Sequence, residues 1–557
     1  MATKQEYRLG DIIEPLGGRL IHGNPETTFT SFCIDSRYVD SNTLFVPLMG
    51  QSRDGHQFVL DAIGKGAPAV IVRSGHHQIH EIIEWLRERA SRAGFREYND
   101  VCVIEVRHTL VALQKLAEWF RLQFPAKVIG VTGSVGKTGT KEMLIQILSS
   151  RYSTVGTEKN FNNEIGVPLA LSKLDPNVKM AVIEMAMRAR GEISLLSRIA
   201  HPDVAMITNT TGAHVGRLGS FEEIYKAKCE ILDGLKPGGT LILNRGDENV
   251  GRILEEIHSK RFHKEEPELK YFDASAVYAN SGIPPFLPPG QELSGPLMDV
   301  KADVWLEDVK VRGLQGAQFY LCSADERVPC ELNLLGRGAV ANLAAAAIGA
   351  HVCGMSLAEI AEAVPALLPA PQRLNLFQLR DNLYLIDDCY NSSPASARDS
   401  LELLLNINSG YRKIAVIGDM LELGKYETLL HRQVALTTLN LPLDTVYAVG
   451  PRMNAVNEVD ARDDIELYYI EGHSDYESRD AQNRPTARFG EVLNDARPQR
   501  GSEEMTILDD NASAKLSAML LSKINQNKRP TVVLVKGSRA LHLERVVNDL
   551  LSGTYEQ

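Results

Sequence analysis

Seven consecutive residues, Thr132, Gly133, Ser134, Val135, Gly136, Lys137 and Thr138, constrain this chain more than any other stretch. An apolar run before them, Val128, Ile129 and Val131, reads as a buried strand. After them Met143, Leu144, Ile147 and Leu148 recur at helical spacing. A strand, a glycine turn, Lys-Thr and a helix in that order make an anion cradle. The helix start offers unpaired N–H groups and the positive end of its dipole, and glycines let the backbone close on phosphate oxygens. In such a cradle Lys137 reaches the outer phosphates and the Thr138 hydroxyl holds Mg²⁺. The strict Gly-x4-Gly-Lys-Ser/Thr pattern places its first glycine at 131, where this chain has Val; Gly133 lies nearer. The stretch predicts ATP binding.

At 557 residues the chain exceeds a single core, and about three or four domains are expected. A hydrophobic content of 44% with 24% charged residues fits a soluble globular protein. The formal net charge of −11 argues against a nucleic-acid or anionic-membrane surface. The cysteines at 33, 102, 229, 322, 330, 353 and 389 are scattered, with no Cys-x-x-Cys spacing, so neither a disulfide framework nor a zinc site is expected. Met1 to Leu16 carries no basic stretch followed by an apolar one, and no run has the length of a membrane span. A cytoplasmic, monomeric protein without membrane insertion is expected.

Residues 1–108 alternate short apolar runs with polar turns, as in a small α/β domain. Thr109 is placed to cap a helix carrying Leu110, Leu113, Leu116 and Phe120 on one face. Strand-like runs at Met180 to Ile183, Val204 to Thr208 and Thr240 to Asn244 alternate with helix-length segments, which implies a parallel sheet covered on both faces. Between about 258 and 330 the pattern predicts a loop-rich excursion ending in antiparallel strands. An alanine-rich helix over Asn342 to Ala350 and the segment 367–371 mark a domain boundary. Beyond it, Ile414 to Ile417, Val446 to Val449 and Thr531 to Val535 each run into glycine within a few residues. Residues 456–505, dense in charge, read as an exposed insertion with little core. The resulting division is 1–108, 109–369 and 370–557.

Glu184 closes a strand, so its carboxylate should emerge at the carboxyl edge of the sheet beside the 132–138 loop, where an acid either ligates Mg²⁺ or simply ends a strand at the surface. His214 follows the next strand and a polar turn, a placement that suits a metal ligand or a packed ring. Lys226 and Lys228 fall on a helix expected over Phe221 to Leu235. Asn160, Asn162 and Asn163 crowd a loop whose amides can hold a carboxylate or phosphoryl oxygen.

The order of Thr-Gly-Ser-x-Gly-Lys-Thr, Asn160-Phe161-Asn162-Asn163-Glu164-Ile165-Gly166, Glu184-Met185, His214 and Lys226-Ala227-Lys228 resembles the ATP-dependent Mur ligases. Asp35-Ser36-Arg37, Leu44-Phe45-Val46 and Asp54-Gly55-His56 are similar to that family's uridine-nucleotide domain. Three strings, beginning Asp387-Asp388-Cys389-Tyr390-Asn391, Ile417-Gly418-Asp419 and Val535-Lys536-Gly537, resemble the branch that adds D-alanyl-D-alanine. The resemblance implies an α/β protein of three domains. These are a small one for the UDP-sugar peptide, a central P-loop ATPase with a mostly parallel sheet, and a Rossmann-like C-terminal one. It implies a UDP-N-acetylmuramoyl tripeptide, D-alanyl-D-alanine and ATP as substrates, joined through an acyl phosphate. Lys137, Glu184, His214 and Lys228 would be catalytic. Thr138, Glu184, His214 and Lys228 would serve Mg²⁺, with Lys228 matching a lysine that the family carbamylates. Asn342 and Asp388 would meet adenine and ribose, with Arg373 and Asn391 near the phosphates. Ser36, Arg37, Asn160, Asn163 and Tyr390 would contact the other substrates.

The family's Gly-Arg-His-Asn-x-x-Asn reads here Gly336-Arg337-Gly338-Ala339-Val340-Ala341-Asn342, without the His and the first Asn. This departure predicts weaker ATP binding with the chemistry intact. A ligase of the same superfamily for another substrate, and a weakly active nucleotide-binding scaffold of cell-wall synthesis, are the competing readings.

Overall fold

The structure, a computed structural model, describes residues 5–50, 53–91, 100–210, 220–259, 265–286, 295, 297, 299–471, 476–479, 510–526 and 529–553. Its framework is three α/β units, each built on its own sheet.

In the first unit five strands run in the spatial order Arg19–His22, Cys102–Val106, Ala69–Arg73, Thr43–Phe45 and Ser31–Cys33, parallel except at the first pairing. The helix Thr109–Leu122 follows. Thr109 does not cap it: His108 holds the N-cap position without a side-chain bond, and Thr109 is already the first helical residue, buried. Leu113, Leu116 and Phe120 of this helix share one apolar cluster with Tyr7, Phe29 and Phe32 on one side and Ile183 and Leu196 on the other. The helix is thus a common wall of the first and second units.

The second unit is a nine-stranded sheet. Lys127–Thr132 lies between Met180–Glu184 and Val204–Ile207, all parallel, and the sheet continues through Thr240–Asn244 and Glu268–Asp273 in the same sense. Thr154–Gly156 pairs parallel with Met180–Glu184 at one edge, and Val304–Val311, Ala317–Cys322 and Arg327–Leu332 complete the other, the last two pairings antiparallel. The antiparallel strands expected at the end of the excursion are present, and they join the central sheet because Phe272, Val304, Leu306, Phe319 and Leu321 bury their side chains in its core. The alanine-rich helix is longer than expected, Arg337–Val352. Its small residues Ala344 to Ala347 let it pack closely on the helix Lys137–Ser149. Residues 221–235 form a helix only to Cys229, then a 3-10 turn over Glu230–Asp233.

The third unit orders its strands Asn375–Arg380, Leu383–Asp388, Thr531–Lys536, Arg412–Gly418, Thr445–Val449, Glu466–Ile470 and Tyr476–Arg479, parallel inside and antiparallel at both edges. The charged stretch 456–505 is not all exposed: Val456, Ile465, Leu467 and Ile470 are buried in this unit. Its remainder from 480 lies outside the described residues. All seven cysteines are free.

Candidate active site

Register builds the site. Glu184 pairs with Val131, and Ile207 with Thr132, so the strands flanking Lys127–Thr132 both end where the 132–138 loop begins. The loop is stapled to the strand end at Asn209: its side-chain Oδ1 accepts from the Val135 N–H at 2.9 Å, and its Nδ2 donates to the Val135 carbonyl at 2.8 Å. Thr208 Oγ1 donates to the same carbonyl at 2.8 Å. Thr132 Oγ1 donates to the Met185 carbonyl at 2.9 Å, tying the loop to the other flanking strand. Gly136 has φ +85°, and a Cβ there would lie 2.3 Å from Asn342 Oδ1. Only glycine allows both that backbone and that neighbour.

Lys137 Nζ donates to the Gly133 carbonyl at 2.6 Å and to the Ser134 carbonyl at 3.1 Å, so the cation is folded over its own loop. Burial lowers its pKa, and Glu184, Arg373 and Glu422 all act on it electrostatically. Thr138 Oγ1 donates to Glu184 Oε1 at 3.2 Å, and Asn162 Nδ2 donates to the same oxygen at 2.7 Å. Glu184 Oε2 is buried without a hydrogen-bond partner. So are Lys228 Nζ and the hydroxyls of Ser134 and Thr140. Burial, then the neighbouring Lys137 ammonium, holds the Lys228 amine well below its ordinary pKa. Unpartnered polar atoms in a buried place are costly, and these four, gathered near the loop, fit charged ligands that would satisfy them.

The third unit supplies the facing wall. The Arg373 guanidinium lies over the Tyr390 ring at 4.5 Å, and Arg539 over the same ring at 5.4 Å. Tyr390 feels Glu184, and its pKa is raised by burial. Asp388 is drawn into a buried pair with Lys536 Nζ at 2.6 Å and accepts from Ser400 Oγ at 2.7 Å. Asn391 is exposed, and its carbonyl accepts from Lys536 Nζ at 3.3 Å.

A cavity of about 260 Å³ opens beside the loop, reached by Val135, Thr140 and Asn342 from the second unit and by Ser393 and Asp399 from the third. Tyr278 and Phe286 wall it from the excursion. The two units meet there through Glu402, buried, which accepts from the backbone N–H of Gly282 at 2.9 Å, from that of Ile283 at 3.1 Å and from Arg337 Nε at 3.3 Å.

Of the residues named from sequence, Lys137, Thr138, Glu184, Lys228, Arg373, Tyr390 and Asn342 gather around the loop. His214 lies outside the described residues. Asn163 spends its side chain on capping, Oδ1 accepting from the Gly166 N–H at 2.9 Å, and Asn160 is exposed. Ser36 and Arg37 sit in the first unit, Arg37 paired with Asp35 at 2.6 Å. Of the three loop amides named from sequence, Asn162 is the one that reaches the site, on Glu184; Asn209 was not singled out, being one amide in a polar turn whose direction only the strand end decides.

A second cluster, Asp54, His56 and His76, has the composition of a metal site. Its hydrogen bonds favour a histidine–acid network instead. His56 Nε2 accepts from the Arg73 N–H at 3.0 Å, so its proton sits on Nδ1 and donates to Asp54 Oδ1 at 2.7 Å. His76 Nδ1 accepts from the Gln78 N–H at 3.3 Å, leaving Nε2 to donate to Asp54 Oδ2 at 2.9 Å. Both ring nitrogens facing the acid are donors, and neither offers a lone pair.

Comparison with known proteins agrees with this geometry. The Mur ligase family catalytic domain matches residues 28–121, the Mur ligase middle domain 131–284, and the Mur ligase glutamate ligase domain 372–539. The UDP-N-acetylmuramoyl-tripeptide–D-alanyl-D-alanine ligase of Bacillus subtilis is 33% identical over 79% of this chain and 84% of its own length. That of Synechocystis is 32% identical over 76% and 81%. Crystal structure I of MurF from Acinetobacter baumannii superposes with a TM-score of 0.74 at 26% identity, covering 98% of this chain and 99% of that one. With three successive family domains, the phosphate loop and the facing third unit all in register, the chain belongs to the Mur ligase family.

Proposed function

We propose that this protein is an ATP-dependent ligase that joins D-alanyl-D-alanine to a UDP-N-acetylmuramoyl tripeptide, giving the pentapeptide precursor of peptidoglycan, ADP and phosphate. The observation that carries the reading is the convergence of Lys137, Thr138, Glu184 and the unpartnered Lys228 amine on one glycine loop faced by Arg373 and Tyr390.

A carboxylate is a poor electrophile and amide formation in water is uphill. When bound, ATP supplies the phosphoryl group that converts the peptide carboxylate to an acyl phosphate, and Mg²⁺ offsets the charge gathered there. The donor set fits: Thr138 and Glu184 offer oxygen to a hard cation, and Glu184 Oε2 is unspent. The Lys228 amine is not itself such a ligand. With its pKa lowered by burial and by Lys137, its neutral form can add to CO₂, forming an N–C bond and releasing one proton, and so become an anionic oxygen donor. Lys137 is positioned to exchange the Gly133 and Ser134 carbonyls for phosphate oxygens. Arg373 brings a second cation from the third unit. The cavity beside Asn342 takes the adenosine. The Glu402 contacts keep the two units closed, which shields an acyl phosphate from water.

The test is ADP formation with each substrate withheld in turn. Turnover should require both the tripeptide nucleotide and D-alanyl-D-alanine, with the pentapeptide detected by mass. ADP release indifferent to the dipeptide overturns the reading.

A further inference from the structure

The cavity beside the phosphate loop holds a carboxylate that nothing above uses. Asp399 lies on the helix Pro394–Asn406 of the third unit and lines the cavity together with Asn342 of the second. Among the described residues it has no salt-bridge partner; it shares a hydrogen bond with Tyr278 and feels the Arg398 and Lys536 cations. Arg398 itself donates to the Ile283 carbonyl at 2.7 Å and to Ser281 Oγ at 2.8 Å.

Opposite it stands Gly338, in the first turn of the helix Arg337–Val352. A Cβ at 338 would come within 2.6 Å of Asp399 Oδ2. The carboxylate therefore occupies the volume that any side chain at 338 needs, and the two positions are sterically coupled. This is the position where the sequence pattern lacks its histidine. The void is filled by an acid from the other domain.

The lining of the cavity says what the acid meets. Val135 and Thr140 bring the phosphate loop and its helix to it, and Tyr278 and Phe286 add aromatic rings, a lining suited to a base attached to a phosphate chain. Polar groups in such a lining fix orientation, Asn342 and Asp399 among them. An acceptor there selects a base edge that carries a donor.

We propose that Asp399 is a specificity-determining residue of the nucleotide site, its carboxylate accepting a hydrogen bond from the exocyclic amino group of adenine in place of a side chain at 338. The proposal rests on the nucleotide reading of the cavity given above. It makes base recognition a joint property of the second and third units, so that adenine is read only when they are closed.

The experiment is calorimetric binding of ADP and of purine riboside diphosphate, which lacks only the amino group, to the full-length protein. The wild type should bind ADP about tenfold or more tightly than the analogue. In D399A that preference should vanish, mainly through weaker ADP binding. G338A should erode it as well, because its methyl group displaces the carboxylate from a helix that alanine otherwise favours. The wild-type comparison needs no variant to fold. Equal binding of the two nucleotides by the wild type, or a preference that survives in D399A, overturns the role of Asp399 and leaves the nucleotide site standing. No ADP binding by the wild type overturns the nucleotide reading and this assignment together.

Discussion

The Asn162 amide donates to Glu184 Oε1 at 2.7 Å, on the oxygen that also accepts from Thr138. Two donors fix one oxygen of the carboxylate and leave the other, buried and unpartnered, aimed at the site. The acid is held in place by groups from a loop and a helix that are both distinct from its own strand. Replacing Glu184 by Gln should lower kcat about 10²–10³-fold, the cost typical of losing one electrostatic stabiliser. Because an unsatisfied charge is removed, the melting temperature should hold or rise. Steady-state kinetics over a Mg²⁺ titration and a thermal scan check both halves.

Lys228 has no hydrogen-bond partner and a depressed pKa. K228A should cost about 10²–10³-fold in turnover on the same grounds. With the native lysine, buffers stripped of CO₂ should slow the enzyme and bicarbonate should restore it. Rates insensitive to bicarbonate in the native enzyme would count against the carbamate.

Gly136 combines φ +85° with a Cβ position 2.3 Å from Asn342 Oδ1. G136A should strain the loop by about 1–2 kcal/mol and push Asn342 out of register, weakening ADP binding at least tenfold. Calorimetry with ADP measures it; unchanged affinity would show that the loop tolerates the methyl group.

Glu402 and Arg337 form a buried pair across the second and third units, with side chains 3% and 8% exposed. E402A takes the acceptor from Arg337 Nε and from two backbone N–H groups and leaves the arginine charge buried without its carboxylate, which should cost about 3 kcal/mol. The third unit should then melt separately, and small-angle scattering should report a larger radius of gyration.

Burial opposes ionisation of Asp54, yet hydrogen bonds from His56 and His76 overcome it and bring the acid down to about 2. A depressed carboxylate adds stability above its ordinary value of 3.8 and loses it as pH falls towards about 2. With its side chain 35% exposed, solvent screening reduces the effect to about 1 kcal/mol. D54N should lower stability in urea at pH 7, and the gap to wild type should close on acidification through that window. Zinc should leave the melting temperature of both unchanged, since the facing ring nitrogens are donors.

The strand, loop and helix of 127–149 were legible because each depends on residues adjacent in the chain. Apolar spacing, glycine and the Lys-Thr pair act within one turn of one another. The parallel character of the central sheet followed from alternation alone. Thr109 was misjudged because a threonine serves equally at the cap and one residue inside, and only the backbone distinguishes them. The antiparallel strands that end the excursion were legible from their alternation, whereas the parallel strand Glu268–Asp273 was not, because its first three residues are not buried.

The Mur-type motifs announced which side chains bear the chemistry, since lysine, carboxylate and hydroxyl act through composition wherever they meet. Folding settled their neighbours. Glu402 finds Arg337 across 65 positions, and Asp399 fills the space above Gly338. Contacts of that kind arise from how sheets stack and domains close, which is a balance of burial summed over whole cores and has no signature in any short stretch of residues.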